Sequence, residues 1–365
     1  MPDTYNLLEP AALLDAFSAH APCGFSPCII RAGESELIGF TTDYDLTTTL
    51  EPALGRLAKK ALVGARIHRL VRPRTLFGGT TVSEYLPYPP SADPQELIAA
   101  SLDQMRRVDA RLLILKDIPR DSPLLSSAEN AAAARLRDTC RCNGFAIVSG
   151  QALAFVRIDF RCEDDFLRTL SRSRRKDLRR KLKTRPLLEI EELPTGHRAF
   201  EDDAFLDLLF VLYRNVYEQS LVHFDELTAP FFRAILRAEG GTVFLYRLAG
   251  TLIGYNICFV HRDRLVDKYV GFLYPHARDV NLYFVSWVHN LEWARRHGLH
   301  EYVAGWTDPE VKRALGARFT FTDHAVYARS PVLRFLLKHL RPLFEADARW
   351  AAEAGHRERG PVARR

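Results

Sequence analysis

The sequence predicts an α/β chain made of two halves, each assembled from helices and strands in a similar order. Three observations lead there. At 365 residues, 47% of them hydrophobic and 11% aromatic, the chain can fill large cores and has the length of two ordinary domains. Compact apolar runs such as RLLILK (111–116) and VFLYRLAGTLIGYNICFV (243–260) alternate with stretches of helical period in both halves. Between the halves stands RTLSRSRRKDLRRKLKTR (168–185), ten Lys or Arg against the single acid Asp177.

The elements follow in order. Residues 9–20 and Glu51–Leu62 read as helices, and Ile67–Glu84 as a β-rich run with Gly78 and Gly79 at a turn. In the loop YPPSADP, Ser91 or Asp93 can cap a helix whose first turn suits Pro94 and whose apolar face is Leu97–Met105. Arg111–Lys116 is a buried-type strand, Ser126–Thr139 an Ala-rich helix, and Gly144–Val148 and Leu153–Ile158 two further strands. After the basic segment come helices at Phe200–Tyr217 and Ala229–Ala238, then a hairpin turning at AGT. A strand at Leu265–Phe272, a helix at Leu282–Arg296, a strand at Tyr302–Ala304, a helix at Pro309–Leu315 and closing strands to Arg329 complete the second half. Residues 331–345 form an amphipathic basic helix before a charged, Ala-rich tail, so the domains read as 1–160, 161–330 and the extension 331–365.

The basic segment has a local purpose. The whole chain carries only +6, from 51 basic and 45 acidic residues, so the remainder is slightly acidic. At helical spacing Phe166, Leu170, Leu178 and Leu182 give one apolar stripe in a cationic helix. Arg174 falls on that stripe, where a guanidinium needs a partner, so the helix is read as meeting something anionic, with a solvated helix as the plain alternative.

Several classes are excluded. Cys23, Cys28, Cys140, Cys142, Cys162 and Cys258 show no CxxC spacing and the twelve histidines no HExxH or HxH pattern, so free buried thiols and no metal are expected. No stretch approaches eighteen uncharged apolar residues, and MPDTYNLLEP lacks the build of a signal peptide, which reads as a cytoplasmic protein without a transmembrane segment. A P-loop, a Gly-x-Ser-x-Gly elbow and a Cys–His pair are missing, which argues against ATP use and hydrolysis.

The segment FLRTLSRSRRKDLRRKLK, the strand pair VFLYRLAGTLIGYNICFV, the helix LYFVSWVHNLEWARRHGL and the stretch WTDPEVKRALGARFT together resemble the GNAT-fold (acyl-CoA N-acyltransferase) enzymes of the double-domain type. These include the Fem-type aminoacyl transferases and related BioF-like N-acyltransferases. The likeness is strongest over 160–330, while the first half matches only in its order of elements. It implies two tandem GNAT-like domains with mixed sheets flanked by helices, the N-terminal copy degenerate. It also implies catalysis by a lysine that precedes a small hydrophobic–Gly pair, a position filled by Lys312 with Leu315 and Gly316. One departure stands out. The glycine turn on which such enzymes cradle the CoA pyrophosphate has no glycine in YPHARDVNLYF, where Arg278 supplies charge and Asp279 opposes it.

The residue-level expectations are these. Lys312 can stabilise the oxyanion of acyl transfer; Asp267, in the apolar strand LVDKYVGFL, can accept a proton; and Tyr269 shares its face by strand alternation. Tyr274, with Tyr246 and Tyr255, can orient a substrate. His223 and Asp225 stand in a loop between two helices, Asp225 equally suited to capping the second. Arg174, Arg175, Arg179, Arg180 and Arg278 are read as contacts to an anionic substrate. The donor carrier, with no cofactor held permanently, is acyl-CoA, an acyl carrier protein or aminoacyl-tRNA, and the acceptor a small-molecule amine. A nonenzymatic nucleic-acid-binding protein is the competing class, with no recognition motif and no reading of DNA to support it. Weak peripheral membrane contact through 332–344 is an accessory expectation.

Overall fold

The computed structural model describes residues 6–46, 72–89, 91–220, 224–331 and 334. Along the chain run α1 (Ala12–Ala19), β1 (Ser26–Ala32), β2 (Ser35–Asp43), β3 (Arg74–Gly78), α2 (Pro94–Arg107), β4 (Leu112–Arg120), α3 (Ser127–Cys142) and β5 (Ala146–Arg157). Next come α4 (Glu163–Thr169), α5 (Arg172–Lys181), a 3-10 turn (Leu182–Leu187), β6 (Leu188–Pro194), a second 3-10 turn (Arg198–Glu201), α6 (Asp203–Gln219) and α7 (Ala229–Arg237). The order ends with β7 (Gly241–Leu248), β8 (Thr251–His261), β9 (Arg264–Phe272), α8 (His276–Asp279), α9 (Leu282–Arg296), β10 (Glu301–Gly305), α10 (Pro309–Ala314) and β11 (Arg318–Ala328). The expected helices at 51–62 and 332–344, and His223, lie outside the described residues.

The chain divides into two compact units, one of Met1–Leu7, Gly24–Ala152 and Thr320–Arg365, the other of Leu8–Cys23 and Leu153–Phe319. These are not the contiguous 1–160 and 161–330 read from the sequence. Strand pairing sets the borders: β11 joins β4 of the first unit, Ala154–Arg157 of β5 join β10 of the second, and α1 packs on α7.

In the first unit the strand order is β1-β2-β3-β4-β11-β5, with β1–β2, β2–β3 and β4–β11 antiparallel and β3–β4 parallel. Parallel neighbours need a crossover, which α2 supplies. Asp93 caps α2, accepting from Gln95 N at 2.8 Å, and Pro94 opens it. Ser126 and Glu129 form a reciprocal capping box at the start of α3. Leu97, Ile98 and Met105 of α2 and Leu136 and Cys140 of α3 cover Leu76, Leu113, Leu115 and Ile147 of the sheet. The hairpin β1–β2, absent from the sequence reading, turns at Gly33, whose φ of +58° favours glycine. Two expected strands are one, β5, because Gly150 stays extended across the interval; a side chain there would strike Thr322 and His324 of β11.

In the second unit the order is β5-β10-β9-β8-β7-β6, antiparallel except for one pair, β9–β10. The β7–β8 hairpin turns at Ala249–Gly250 as expected, both with positive φ. Strand β6, read as no element from the sequence, lies at the sheet edge with an exposed, Glu-rich face. Helix α9 covers one sheet face through Val285, Val288 and Leu291, while α6 and α7 lie against the other, where Tyr255 donates to Leu209 O at 3.0 Å. The single cationic helix is a correction. Leu170 takes an extended backbone (ψ 150°) and Ser171 caps a new helix, so the phase set by Phe166 and Leu170 is not continued and Arg174 is exposed.

Candidate active site

Strands β9 and β10 are paired only over Arg264–Val266 against Glu301–Val303. Beyond that point β9 continues along β8 to Phe272, whereas β10 bulges at Ala304 and turns Gly305 toward Ala154 of β5. The sheet therefore opens between Asp267 and Ala304.

Lys312 is delivered to this opening by a tightly specified corner. Gly305 (φ +75°) and Asp308 (φ +53°) reverse the chain after β10, and Pro309 starts α10 with the φ a helix needs. Gly316 (φ +88°) ends it: Leu315 N and Ala317 N both donate to Lys312 O at 3.0 Å. A Cβ on Gly316 would stand 3.0 Å from Leu170 Cδ2, so the glycine is also a packing requirement. Lys312 is consequently not a surface lysine. It is 5% exposed, and its Nζ donates to Ala304 O at 2.6 Å.

Asp267 is held from three elements. Tyr302 OH of β10 donates to Oδ2 at 2.8 Å, Asn290 Nδ2 of α9 to Oδ2 at 3.1 Å, and Asn256 Nδ2 of β8 to both oxygens at 3.1 and 3.2 Å. Cys258 Sγ lies 3.7 Å from Oδ1. Burial raises the pKa of Asp267 above the usual carboxylate value, against the lowering pull of the Tyr302 and Asn256 hydrogen bonds and the Lys312 charge. A carboxylate that takes up a proton more readily than usual, beside a buried ammonium, can accept a proton while the ammonium stabilises developing negative charge.

Tyr269 does not join this pair. Strand β9 carries an extra residue: Asp267 faces Cys258 and Tyr269 faces the adjacent Ile257, leaving Lys268 as a bulge. Neighbouring positions on β8 point to opposite faces, so the alternation that predicted a shared face is broken. Asp267 turns toward α9, and Tyr269 meets Phe231 of α7 edge-on at 6.1 Å. Tyr302 takes the place expected for Tyr269. The sequence carries no mark of this, because Tyr302 reaches Asp267 through a strand pairing that spans 35 positions.

The other expected residues are dispersed. Tyr255 is buried against α6, and Tyr246 is buried on the α9 face with its hydroxyl unpartnered. Asp225 lies near Tyr213 and Tyr217, whose pKa values it helps to raise, and Thr228 is the residue that caps α7. The Arg278 guanidinium lies 4.5 Å over the ring of Tyr274 and binds Gln219. Arg179 pairs with Asp164 at 2.9 Å and Arg180 with Asp177 at 2.7 Å. Arg174 Nη1 donates to Arg313 O at 3.3 Å, which ties α5 to the helix bearing Lys312. Arg172, Arg175, Lys176 and Lys183 have no ion pair among the described residues and form the uncompensated part of the basic segment. The cysteines are free, with Cys140 and Cys258 buried as expected and Cys23, Cys142 and Cys162 exposed against expectation.

The turn between β9 and α9 is occupied by its own backbone. Ala277 N donates to Leu273 O, Arg278 N and Asp279 N to Pro275 O, Val280 N to His276 O and Asn281 N to Arg278 O. A pyrophosphate cradle needs such amides pointing outward. Instead the basic segment abuts this turn: Thr184 Oγ1 donates to Val280 O, and Lys181 Nζ sits 3.5 Å over the ring of Phe284 in the first turn of α9.

Residues 172–313 match the family model described as an acetyltransferase (GNAT) domain. The fold is of the GNAT type. Solved structures agree along nearly the whole chain. The C-terminal domain of a putative lysylphosphatidylglycerol synthetase from Agrobacterium fabrum is 13% identical with a TM-score of 0.54, covering 89% of this chain and 93% of that one. FemX is 12% identical at 0.53 (91% and 94%), and the L-PGS of Bacillus licheniformis 9% identical at 0.54 (93% and 99%). At these identities the likeness is one of fold. No curated protein matches in sequence. The GNAT domain supports an acyltransferase, and it contains Asp267, Tyr302 and Lys312. No helix among the described residues is long and apolar enough to cross a membrane.

Proposed function

We propose that the protein is an N-acyltransferase that moves an acyl group from an activated, anionic carrier to the amine of a small molecule. The observation that carries this reading is the buried Lys312 at the opening between β9 and β10, beside an Asp267 of raised pKa. As the amine nitrogen bonds to the acyl carbon, the carbonyl oxygen gains negative charge, which the Lys312 ammonium stabilises. Asp267 receives the proton that the amine sheds. Collapse of the tetrahedral species then breaks the bond to the carrier, which leaves as the anion or takes up a proton.

The carrier is bound through its anionic surface. The self-bonded turn 277–281 and the uncompensated Arg172, Arg175, Lys176 and Lys183 favour a thioester on an acyl carrier protein over free acyl-CoA held in the usual cradle. Aminoacyl-tRNA is the second reading, favoured by the same density of unpaired cations. The decisive experiment is single-turnover transfer to a radiolabelled amine from acyl-CoA, acyl carrier protein or aminoacyl-tRNA, with the salt dependence of donor binding. A steep linear fall of log affinity with log salt is the mark of counterion release from tRNA. Transfer from none of the three, with Lys312 and Asp267 intact, would overturn the reading.

A further inference from the structure

The GNAT helix α9 has a second polar face. Asn290 turns toward Asp267, while His289, Glu292 and Arg296 stand at spacings of three and four along another stripe. With Cys162 just before α4, Glu163 of α4 and Arg185 of the 3-10 turn they line a cavity of about 370 Å³. None of the six hydrogen-bonds to Asp267 or Lys312.

The polar groups of the cavity are only partly matched. Arg185 and Glu163 consume one another at 2.6 Å. Glu292 gives Oε2 to Arg295 at 3.0 Å, which leaves its buried Oε1 without a hydrogen bond, and the buried Nε2 of His289 also has none. Arg296 has no ion pair among the described residues. Two buried atoms remain to be satisfied, Glu292 Oε1 by a hydrogen-bond donor and His289 Nε2 by a polar contact, and the exposed Arg296 offers its charge to a negative group. With Arg185 paired to Glu163 and Arg295 to Glu292, Arg296 is the charge on this lining that no ion pair among the described residues offsets, while Glu292 Oε1 still lacks a donor. Burial, Arg296 and Arg185 hold the His289 pKa down to about 4, so the imidazole adds no charge near neutrality. Its other neighbours, Phe244 and Tyr246 of β7, pack edge-on at 4.8 and 6.0 Å.

We infer that this cavity binds a small zwitterion of the α-amino-acid class, its carboxylate on Arg296 and its ammonium donating to Glu292 Oε1, with His289 Nε2 as a third contact. The inference does not rest on the transferase reading.

The test is binding alone, read on the ring proton of His289 by NMR in the full-length protein. Each of the proteinogenic amino acids is titrated singly, with sodium acetate and methylammonium chloride as half-ligands. At least one amino acid should shift the resonance saturably, and neither half-ligand should do so at the same concentration. Arg296→Ala and Glu292→Gln should each weaken that binding by about tenfold or more, the loss of one charge-assisted contact. Arg296 is exposed and Gln keeps the volume of Glu292, so unchanged circular dichroism is expected of both. A resonance that no amino acid moves overturns the inference. So does an equal shift with acetate or methylammonium, or binding that survives both substitutions.

Discussion

Replacing Lys312 by Met isolates the charge from the packing. The stem of Lys312 lies in a site only 5% exposed, and an unbranched Met fills a similar volume without the ammonium. Two consequences follow at different levels. In the ground state, Ala304 O loses its donor at 2.6 Å, a desolvation cost of about 1–3 kcal/mol that relief from burying a cation offsets in part. In the transition state, one charged donor to the oxyanion is gone, worth about 2.7–4 kcal/mol, or roughly 10² to 10³ in turnover. Turnover should therefore fall far more than substrate affinity or folding stability. Lys312 also lowers the pKa of Asp267, so the substitution should move the acid limb of the pH–rate profile upward. Lys312→Arg should recover part of the rate, since a planar fork cannot place its charge where a point ammonium sits. Single-turnover transfer under saturating donor, measured across pH, reads both effects. A Met variant with near-native rate and an unmoved acid limb would remove Lys312 from the chemistry.

Asp267 titrates above its ordinary value, so the native state holds this proton where the unfolded chain has released it. Its contribution is full below the usual carboxylate range and is lost as pH rises through the raised value; denaturant melts taken upward from the usual carboxylate range should show a decline that Asp267→Asn flattens. Tyr302→Phe, which removes a 2.8 Å donor to that carboxylate, should raise the pKa further and shift the pH–rate profile, whereas Tyr269→Phe should leave the profile in place; the reverse result would contradict the bulge at Lys268. Changing Arg172, Arg175, Lys176 and Lys183 together to Gln should weaken carrier binding with little loss of single-turnover rate at saturation, and the defect should shrink as salt rises, which fluorescence anisotropy at several ionic strengths can follow. Gly316→Ala forces a side chain into φ +88° and to 3.0 Å from Leu170 Cδ2, so a loss of about 1–3 kcal/mol is expected in chemical denaturation; an unchanged midpoint would mean the corner around Lys312 adapts freely.

The parts of this fold that were legible in sequence are those fixed by local chemistry. The cap of α2, offered as Ser91 or Asp93, the Pro at its start, the beginning of α3 at Ser126, the β7–β8 turn and the bounds of α9 were all read within a residue or two. The misses were of other kinds. The basic segment breaks at Leu170 because Ser171 offers a better cap than a continuous helix offers a core, a competition that apolar spacing alone does not reveal. Strand β6 carries as many Glu as aliphatic residues because it is a sheet edge, so its strand signal is weak. At the candidate site, Lys312 is singled out in sequence through the family resemblance and Asp267 through its place in an apolar strand. Tyr302, Asn256 and Asn290 are not, since each meets Asp267 only through tertiary folding.

The interleaving of the two units limits how the gene can be dissected. A chain begun at residue 161 would lose the four residues of β5 that bond β10, leaving beside the Lys312 corner a raw strand edge able to recruit another molecule. It would also lose α1, which comes from the far N-terminus yet lies on α7. Loss of activity in such a truncation would report a damaged scaffold and say nothing of the first unit's role. Isolating the second unit calls instead for a rewired chain in which Leu8–Cys23 is rejoined by a linker to Leu153–Phe319, so that every strand that closes the sheet travels with it.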